Sequence, residues 1–267
     1  MLKFDKIAAA FFTFGKPDVT KQVLNSILQN KKYHYDIDWY CFHDGAVNEF
    51  SGLRYISDEV NQQVLEIVRN SDLDFKEIIV NELNEGIARQ KHKSHQLFRD
   101  YSLVYFFEDD LLLGNYYLRL LKVLAESFPQ QVGTLHNHLN SSGHNLVYPM
   151  VGEARLWGYY MPRQVYLKIK DGWEHYHNRI KNMDYIGRKA HGVKRAPRQD
   201  INLTNLLVAV GRQKLQPRIT RARNIGRYGH IAFQKGGNKW ERDRLHLQPT
   251  NISDPKNDKA ITRFIRG

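Results

Sequence analysis

Five apolar residues in a row, Leu103-Val104-Tyr105-Phe106-Phe107, run straight into three acids, Glu108-Asp109-Asp110. A strand that is apolar at every position is buried on both faces, and such strands belong to sheets covered by helices on each side. Three carboxylates cannot follow it into that interior, so at Glu108 the chain must reach solvent or meet cations. This short segment suits a strand buried on both faces, with charged groups gathered where it ends.

The first half of the chain agrees. Ile7–Thr13 is a second apolar run, closed by Gly15-Lys16-Pro17-Asp18, after which Val19, Val23, Leu24, Ile27 and Leu28 recur at helical spacing. Residues 36–43 read as a strand ending at Asp44-Gly45. Asp58 reads as the cap of a helix carrying Val60, Val64, Ile67 and Val68, and 78–80 as a short third strand. A polar loop over 81–86 leads into a helix over 87–98, and a later helix carries Tyr117, Leu120, Leu121, Leu124 and Phe128. Strands separated by helices form a parallel sheet with right-handed crossovers, and ligands bind beyond the carboxyl ends of such strands. Thr13 and Gly15, His43-Asp44, Asn84 and Gly86, and Glu108-Asp109-Asp110 all fall at those ends. After residue 130 the pattern loosens. Residues 132–138 and 146–151 read as strands, Pro162 as the first turn of a helix toward His177, 187–198 as a basic loop and 202–210 as a short apolar helix.

A length of 267 residues suits one large α/β domain, and 42% hydrophobic content excludes global disorder. No apolar run approaches the roughly 20 residues of a membrane-spanning helix. The first fourteen residues read as a leading strand and not as a signal peptide. The single cysteine, Cys41, excludes a disulfide framework and a cysteine zinc cluster and suits a reducing, cytoplasmic setting. The net charge of +12 is segregated: 188–244 holds fifteen of the 40 Lys and Arg but three of the 28 acids, and so carries the whole excess. That points to a polyanionic partner or a phosphate-rich site, the plain alternative being a solvated basic surface.

Carboxylate oxygens at a strand end suit Mg²⁺ or Mn²⁺ shared with substrate phosphates. A helix N-terminus that favours acids is the alternative. Taken singly, Asp44-Gly45 is an ordinary turn and Asn84-Glu85-Gly86 a helix entry. Their order says more. Thr13-Phe14-Gly15 after the first strand, then 39–45 (WYCFHDG), 84–90 (NEGIARQ) and 106–113 (FFEDDLLL) resemble the nucleotide-binding half of the GT-A glycosyltransferases. The likeness is to family-2-like and N-acetylglucosaminyltransferase-like enzymes with an EDD variant of the DxD motif. It covers 7–125 and then reduces to two islands, one around Trp157-Gly158 and one over 224–230.

The resemblance implies an α/β, Rossmann-like GT-A fold, a mostly parallel central sheet flanked by helices, with an irregular basic C-terminal acceptor part. Residues 1–130 would form the nucleotide-sugar-binding half, 131–244 the acceptor and catalytic half of the same domain, and 245–267 a polar tail. Thr13 and Gly15 would contact the nucleoside of a UDP-type donor, and Asp44 would accept from its base. Asn84 and Arg89 would lie near base and diphosphate, Arg89 binding phosphate bidentately. Asp109 would sit by the ribose, Asp110 would coordinate Mn²⁺ or Mg²⁺, and Glu108 would orient this pair or reach the sugar. His230 is the candidate second metal ligand, and Arg223, Arg227 and Lys235 would neutralise the leaving diphosphate.

Inverting transfer also needs a carboxylate base. Asp200, the only acid between Asp184 and Glu241, fits that role, and a helix cap is its alternative and compatible role. In a retaining reaction Asp200 would instead bind the acceptor. His136, His138 and His144 match no strong metal motif, and Trp157 is expected to pack the acceptor cleft. The surplus charge suits an anionic polymer. DNA carrying a hydroxylated base of the 5-hydroxymethylcytosine type is favoured, the base flipped toward Asp200 and supported by Tyr159, Tyr160, Trp173 and Tyr185. A lipopolysaccharide, capsule or other surface glycan is the alternative. Two further classes stay open: a metal-dependent nucleotidyltransferase or phosphohydrolase, which would need the acids without Asp44 or His230, and a non-catalytic nucleic-acid-binding module, which would need only the basic segment.

Overall fold

The structure, a computed structural model, describes residues 3–30, 36–136, 147–149, 156–182, 199–217 and 220–226, with 147–149 described through the backbone alone. In chain order the strands are β1 (Ile7–Thr13), β2 (Asp38–His43), β3 (Phe75–Val80), β4 (Leu103–Glu108), β5 (Leu111–Leu113), β6 (Val132–Thr134), β7 (Val147–Pro149), β8 (Tyr159–Pro162), β9 (Lys214–Pro217) and β10 (Ala222–Asn224). The helices are α1 (Pro17–Leu28), α2 (Asp58–Arg69), α3 (Ile87–Ser94), α4 (Tyr117–Ser127), α5 (Arg163–Ile180) and α6 (Gln199–Ala209). Eight strands form one sheet in the order β3-β2-β1-β4-β8-β6-β9-β7. In it only β8 and β7 run against the others. β5 and β10 pair antiparallel as a separate ribbon. The expected α/β class, with a mostly parallel sheet flanked by helices, is the one found, and strands from both halves of the chain share the main sheet.

Alternation along β1 explains its unbroken apolar run. Ile7, Ala9 and Phe11 turn to one face, with Trp39, Leu103, Tyr105 and Phe107, and pack under α1 and α4 through Val23, Leu24, Ile27, Leu120, Leu121 and Leu124. Ala8, Ala10 and Phe12 turn to the other face, with Val104 and Phe106, and pack under α5 and α6 through Val165, Ile169, Leu203 and Leu207. β1 and β4 thus bury both of their faces, which a sequence alternating apolar with polar could not do. Among the described residues no helix is long and apolar enough to cross a membrane.

Several boundaries differ from the expectation. The cap of α2 is Ser57, whose hydroxyl accepts from the Val60 N–H at 3.3 Å, and Asp58 is the first helical residue. β3 begins at Phe75, three residues early, because its charged Lys76 and Glu77 lie on an exposed stretch of the strand. The helix expected over 87–98 ends at Ser94 and continues as a 3-10 turn, His95–Arg99. Residues 159–162 form a strand where only a helix approach was expected, and Pro162 is the cap of α5.

Candidate active site

The strand ends singled out by the sequence meet along the carboxyl edge of β2, β1 and β4. The Asp109 N–H donates to the Phe12 carbonyl at 3.0 Å, which carries the β1–β4 pairing one residue past the strand. Its carboxylate then accepts from the Phe14 N–H at 3.1 Å and the Thr20 hydroxyl at 3.4 Å, so it lies beneath the first turn of α1. Burial pushes the Asp109 carboxyl up to about 6, against the opposing pull of Lys16. Asp110 faces outward from the same turn. Its Oδ2 receives Lys16 Nζ at 3.0 Å, its Oδ1 receives Asn224 Nδ2 at 3.1 Å, and its carbonyl accepts from the Ile225 N–H at 2.8 Å. Pairing of β10 with β5 brings residues 222–226 onto the acid motif. The fit is close, because a Cβ on Gly226 would run into Asp110 Oδ2. Burial works against the charge on Lys16, but Asp110 and Asp109 outweigh it and hold its pKa above the ordinary lysine value.

Glu108, the third acid, turns to the other face and pairs with Lys91 at 2.8 Å. Lys91 is buried, and burial opposes its charge; Glu108, Tyr159 and Asp200 together raise its pKa above the ordinary value. Asp200 stands at the start of α6, and its charge helps to raise the pKa of Lys91 and Tyr159 and opposes the lowering that burial causes at Lys214. Asp200 Oδ1 accepts from the Ile201 N–H at 3.0 Å, a local bond that orients the carboxylate without enclosing it.

At the end of β2, Asp44 is 3% exposed and accepts from the Glu85 and Gly86 N–H groups, each at 2.9 Å, and from Asn81 Nδ2 at 3.3 Å. Gly86 has φ +78°, the left-handed region in which glycine is favoured, and this turns its N–H onto the carboxylate. Burial raises the Asp44 carboxyl to about 6. Asn84 ties the same loop down, donating its N–H to Val47 and receiving Asn48 Nδ2 at 3.2 Å on its carbonyl. Arg89 pairs with Glu49 at 2.6 Å and Glu85 at 3.8 Å, its guanidinium lying over Phe50.

No protein-family model matches the chain, and no curated protein sequence does. Among solved structures it is similar to S. aureus TarS. TarS 1–349 is 13% identical, with a TM-score of 0.42 over 61% of this chain and 48% of that one. A longer TarS chain is 14% identical, with a TM-score of 0.44 over 62% of this chain and 29% of that one. TarS 1–349 in complex with UDP-GlcNAc is 16% identical, with a TM-score of 0.37 over 48% of this chain and 33% of that one. The chain therefore spans less than half the length of the TarS chains it matches.

The Thr13 hydroxyl is buried and sits 2.9 Å from His43 Nδ1, where it braces the β1–β2 edge. Gly15 packs closely, since a Cβ there would meet the Ile56 side chain at 2.9 Å. Tyr159, Tyr160 and Trp173, expected to support a flipped base, are core residues at 2%, 0% and 2% exposure. β8 lies in the middle of the sheet, and α5 covers one of its faces, which puts these rings inside. Trp157 leans on His136, with ring centroids 4.9 Å apart, against the edge of the core. Arg223 lies on β10 opposite Leu112, close in the chain to the acid motif's partner Asn224. Arg227, His230, Lys235, His138, His144 and Tyr185 lie outside the described residues. Sequence reasoning passed over Lys16, Lys91 and Asn224. A cation directly after the first strand was the available signal for Lys16, and Asn224 stood unassigned inside a motif already singled out.

Proposed function

We propose that the chain is a glycosyltransferase of the GT-A kind that moves a sugar from a UDP-type donor, with inversion, to a hydroxyl on an anionic polymer. The observation that carries this reading is the setting of Asp110. One acid at the end of a parallel strand is met by a lysine from the first strand's turn and by an asparagine from a late strand folded back onto it. Such an edge is where nucleotide phosphates bind in open α/β sheets.

The donor chemistry of Asp110 fits Mn²⁺ or Mg²⁺: hard carboxylate oxygens on a side chain 17% exposed and so open to exchange. Asp110 would hold the ion, which when bound would supply positive charge beside the diphosphate, while Asp109, tied to the Phe14 N–H and the Thr20 hydroxyl, fixes the turn behind it. Lys16 competes with it for Asp110 and, with Arg223, adds charge on the same side. Asp44 and Asn84 shape the base end by fixing the loop 81–86. Asp200 takes the proton from the acceptor hydroxyl; the freed oxygen bonds to the anomeric carbon as its bond to the diphosphate oxygen breaks, and the electron pair leaves with the diphosphate. Glu108 is held by Lys91 on the other face of the motif.

The acceptor is assigned from charge. Of the described parts of the basic segment, α6 packs on the sheet, β9 is one of its strands and β10 meets the acid motif, and none gives hydroxylated DNA an advantage over a surface glycan. Calorimetric UDP binding together with donor turnover tests the division of roles. Asp110→Asn should weaken Mn²⁺-dependent UDP binding. Asp200→Asn should leave that binding intact and reduce turnover by about 10²- to 10⁴-fold. Turnover unchanged in Asp200→Asn would remove the base from the proposal.

A further inference from the structure

Away from the acid motif, the face of α3 that packs on α5 carries a second cluster of metal-ligating groups. His92 on α3 stacks on His177 of α5, ring centroids 3.6 Å apart and planes 4° from parallel. Glu174 lies one turn before His177, and its Oε2 is 3.7 Å from His92 Nε2. One ligand atom from each of the three falls within 4.8 Å of the others. Among the described residues the buried Nδ1 of His92 has no hydrogen-bond partner. Arg89, whose charge reaches His177, is itself matched by Glu49 and Glu85.

We propose that His92, Glu174 and His177 form a Zn²⁺ site that clamps α3 to α5. Two imidazoles and one carboxylate are a borderline N₂O donor set, suited to Zn²⁺ or Co²⁺ and poorly suited to Mg²⁺. Ligand nitrogens on a tetrahedral Zn²⁺ stand about 3.4 Å apart at bonds of about 2.0–2.1 Å. The stacked rings lie in parallel planes, so one imidazole must turn out of the stack for both nitrogens to meet one ion; the three ligand atoms, all within 4.8 Å of one another, are close enough for that. Three protein ligands leave the fourth position to water.

The site does not rest on the proposed reaction, but it adjoins it. Lys91, next to His92, holds Glu108 of the acid motif. Fixing α3 against α5 therefore also fixes a lysine of the active site, which makes the metal a brace for that edge.

The test is a ZnCl₂ titration of the EDTA-stripped full chain by calorimetry, followed by the visible spectrum of the Co²⁺ form. One tight Zn²⁺ per chain should bind in addition to any ion held at Asp110, Co²⁺ should give the intense bands of tetrahedral coordination, and the thermal midpoint should rise with Zn²⁺. His177→Gln and Glu174→Gln, each checked by a metal-free melt, should each weaken Zn²⁺ by at least tenfold, whereas Asp110→Asn should leave it unchanged. Zn²⁺ binding that survives His177→Gln, or that vanishes in Asp110→Asn, would overturn the site. So would a purely octahedral Co²⁺ spectrum, which also decides the matter if a histidine variant does not fold.

Discussion

Lys16 Nζ stands 3.0 Å from Asp110, with both side chains mostly buried, so any divalent ion entering from solvent must displace an ammonium already there. Lys16→Met removes that competitor, and Mn²⁺ should then bind more tightly by about 1 kcal/mol, roughly fivefold, the scale of a partly screened ion pair. Calorimetry reads this directly, and weaker Mn²⁺ binding would mean that Lys16 assists the ion. Asp44 gives a pH signature. Burial raises its carboxyl to about 6, above the ~3.9 of an unfolded aspartate, so the folded chain holds this proton more tightly. The resulting stability is fully present below about pH 4 and is lost as pH rises to about 6, a change on the order of 2–3 kcal/mol. In urea unfolding, the difference wild type minus Asp44→Asn should shrink across that window and stay level above it; a difference that grows would contradict the assignment. Asp44, Asp109 and Asp110 were legible because acids at the ends of apolar runs have few other places to go. Lys16 was not, since Gly-Lys-Pro reads as a turn and only the fold carries its ammonium to an acid 94 positions away.

The elements that sequence patterning missed are those paired over long distances. β8 reads as a string of aromatics, and nothing local separates aromatics that face a ligand from aromatics inside a sheet. The decisive fact is its antiparallel insertion between β4 and β6. β5 and β10 are short, and their pairing joins segments more than a hundred residues apart. By contrast β1, β2, β4, α1 and α4 were legible because each carries its own period and turn residues. Gly158 shows how tightly β8 is entered. It has φ +56°, and a Cβ would meet Leu111 at 2.4 Å and the Tyr117 hydroxyl at 2.7 Å. Gly158→Ala should therefore destabilise the fold by about 2–4 kcal/mol, combining left-handed strain with overpacking. A chemical-denaturation midpoint within error of wild type would show that the junction relaxes freely. Gly226→Ala tests the β5–β10 ribbon separately: overall stability should change little, while UDP binding falls because the added methyl pushes residues 222–226 off Asp110.

Among the described residues, the doubly wound sheet gathers Asp44, Glu108, Asp109 and Asp110 along the carboxyl edge of β2, β1 and β4 and keeps both faces of β1 and β4 apolar. Glu108, Asp109 and Asp110 divide that edge, the first turned toward Lys91, the other two toward Lys16 and β10. A sugar carried on a diphosphate would lie between a donor side and an acceptor side with a carboxylate on each. The net charge of +12 suits the anionic acceptor proposed above. The central claim is that the chain breaks a glycosidic bond to a nucleoside diphosphate. The most direct measurement is mass spectrometry of the full chain with Mn²⁺, a panel of UDP and other nucleotide sugars, and 5-hydroxymethylcytosine DNA, unmodified DNA and oligosaccharides as acceptors. The account predicts intact UDP as product and a sugar mass on one acceptor, with both lost in Asp200→Asn. UMP and sugar phosphate as products, or no donor consumed with any acceptor, would contradict it.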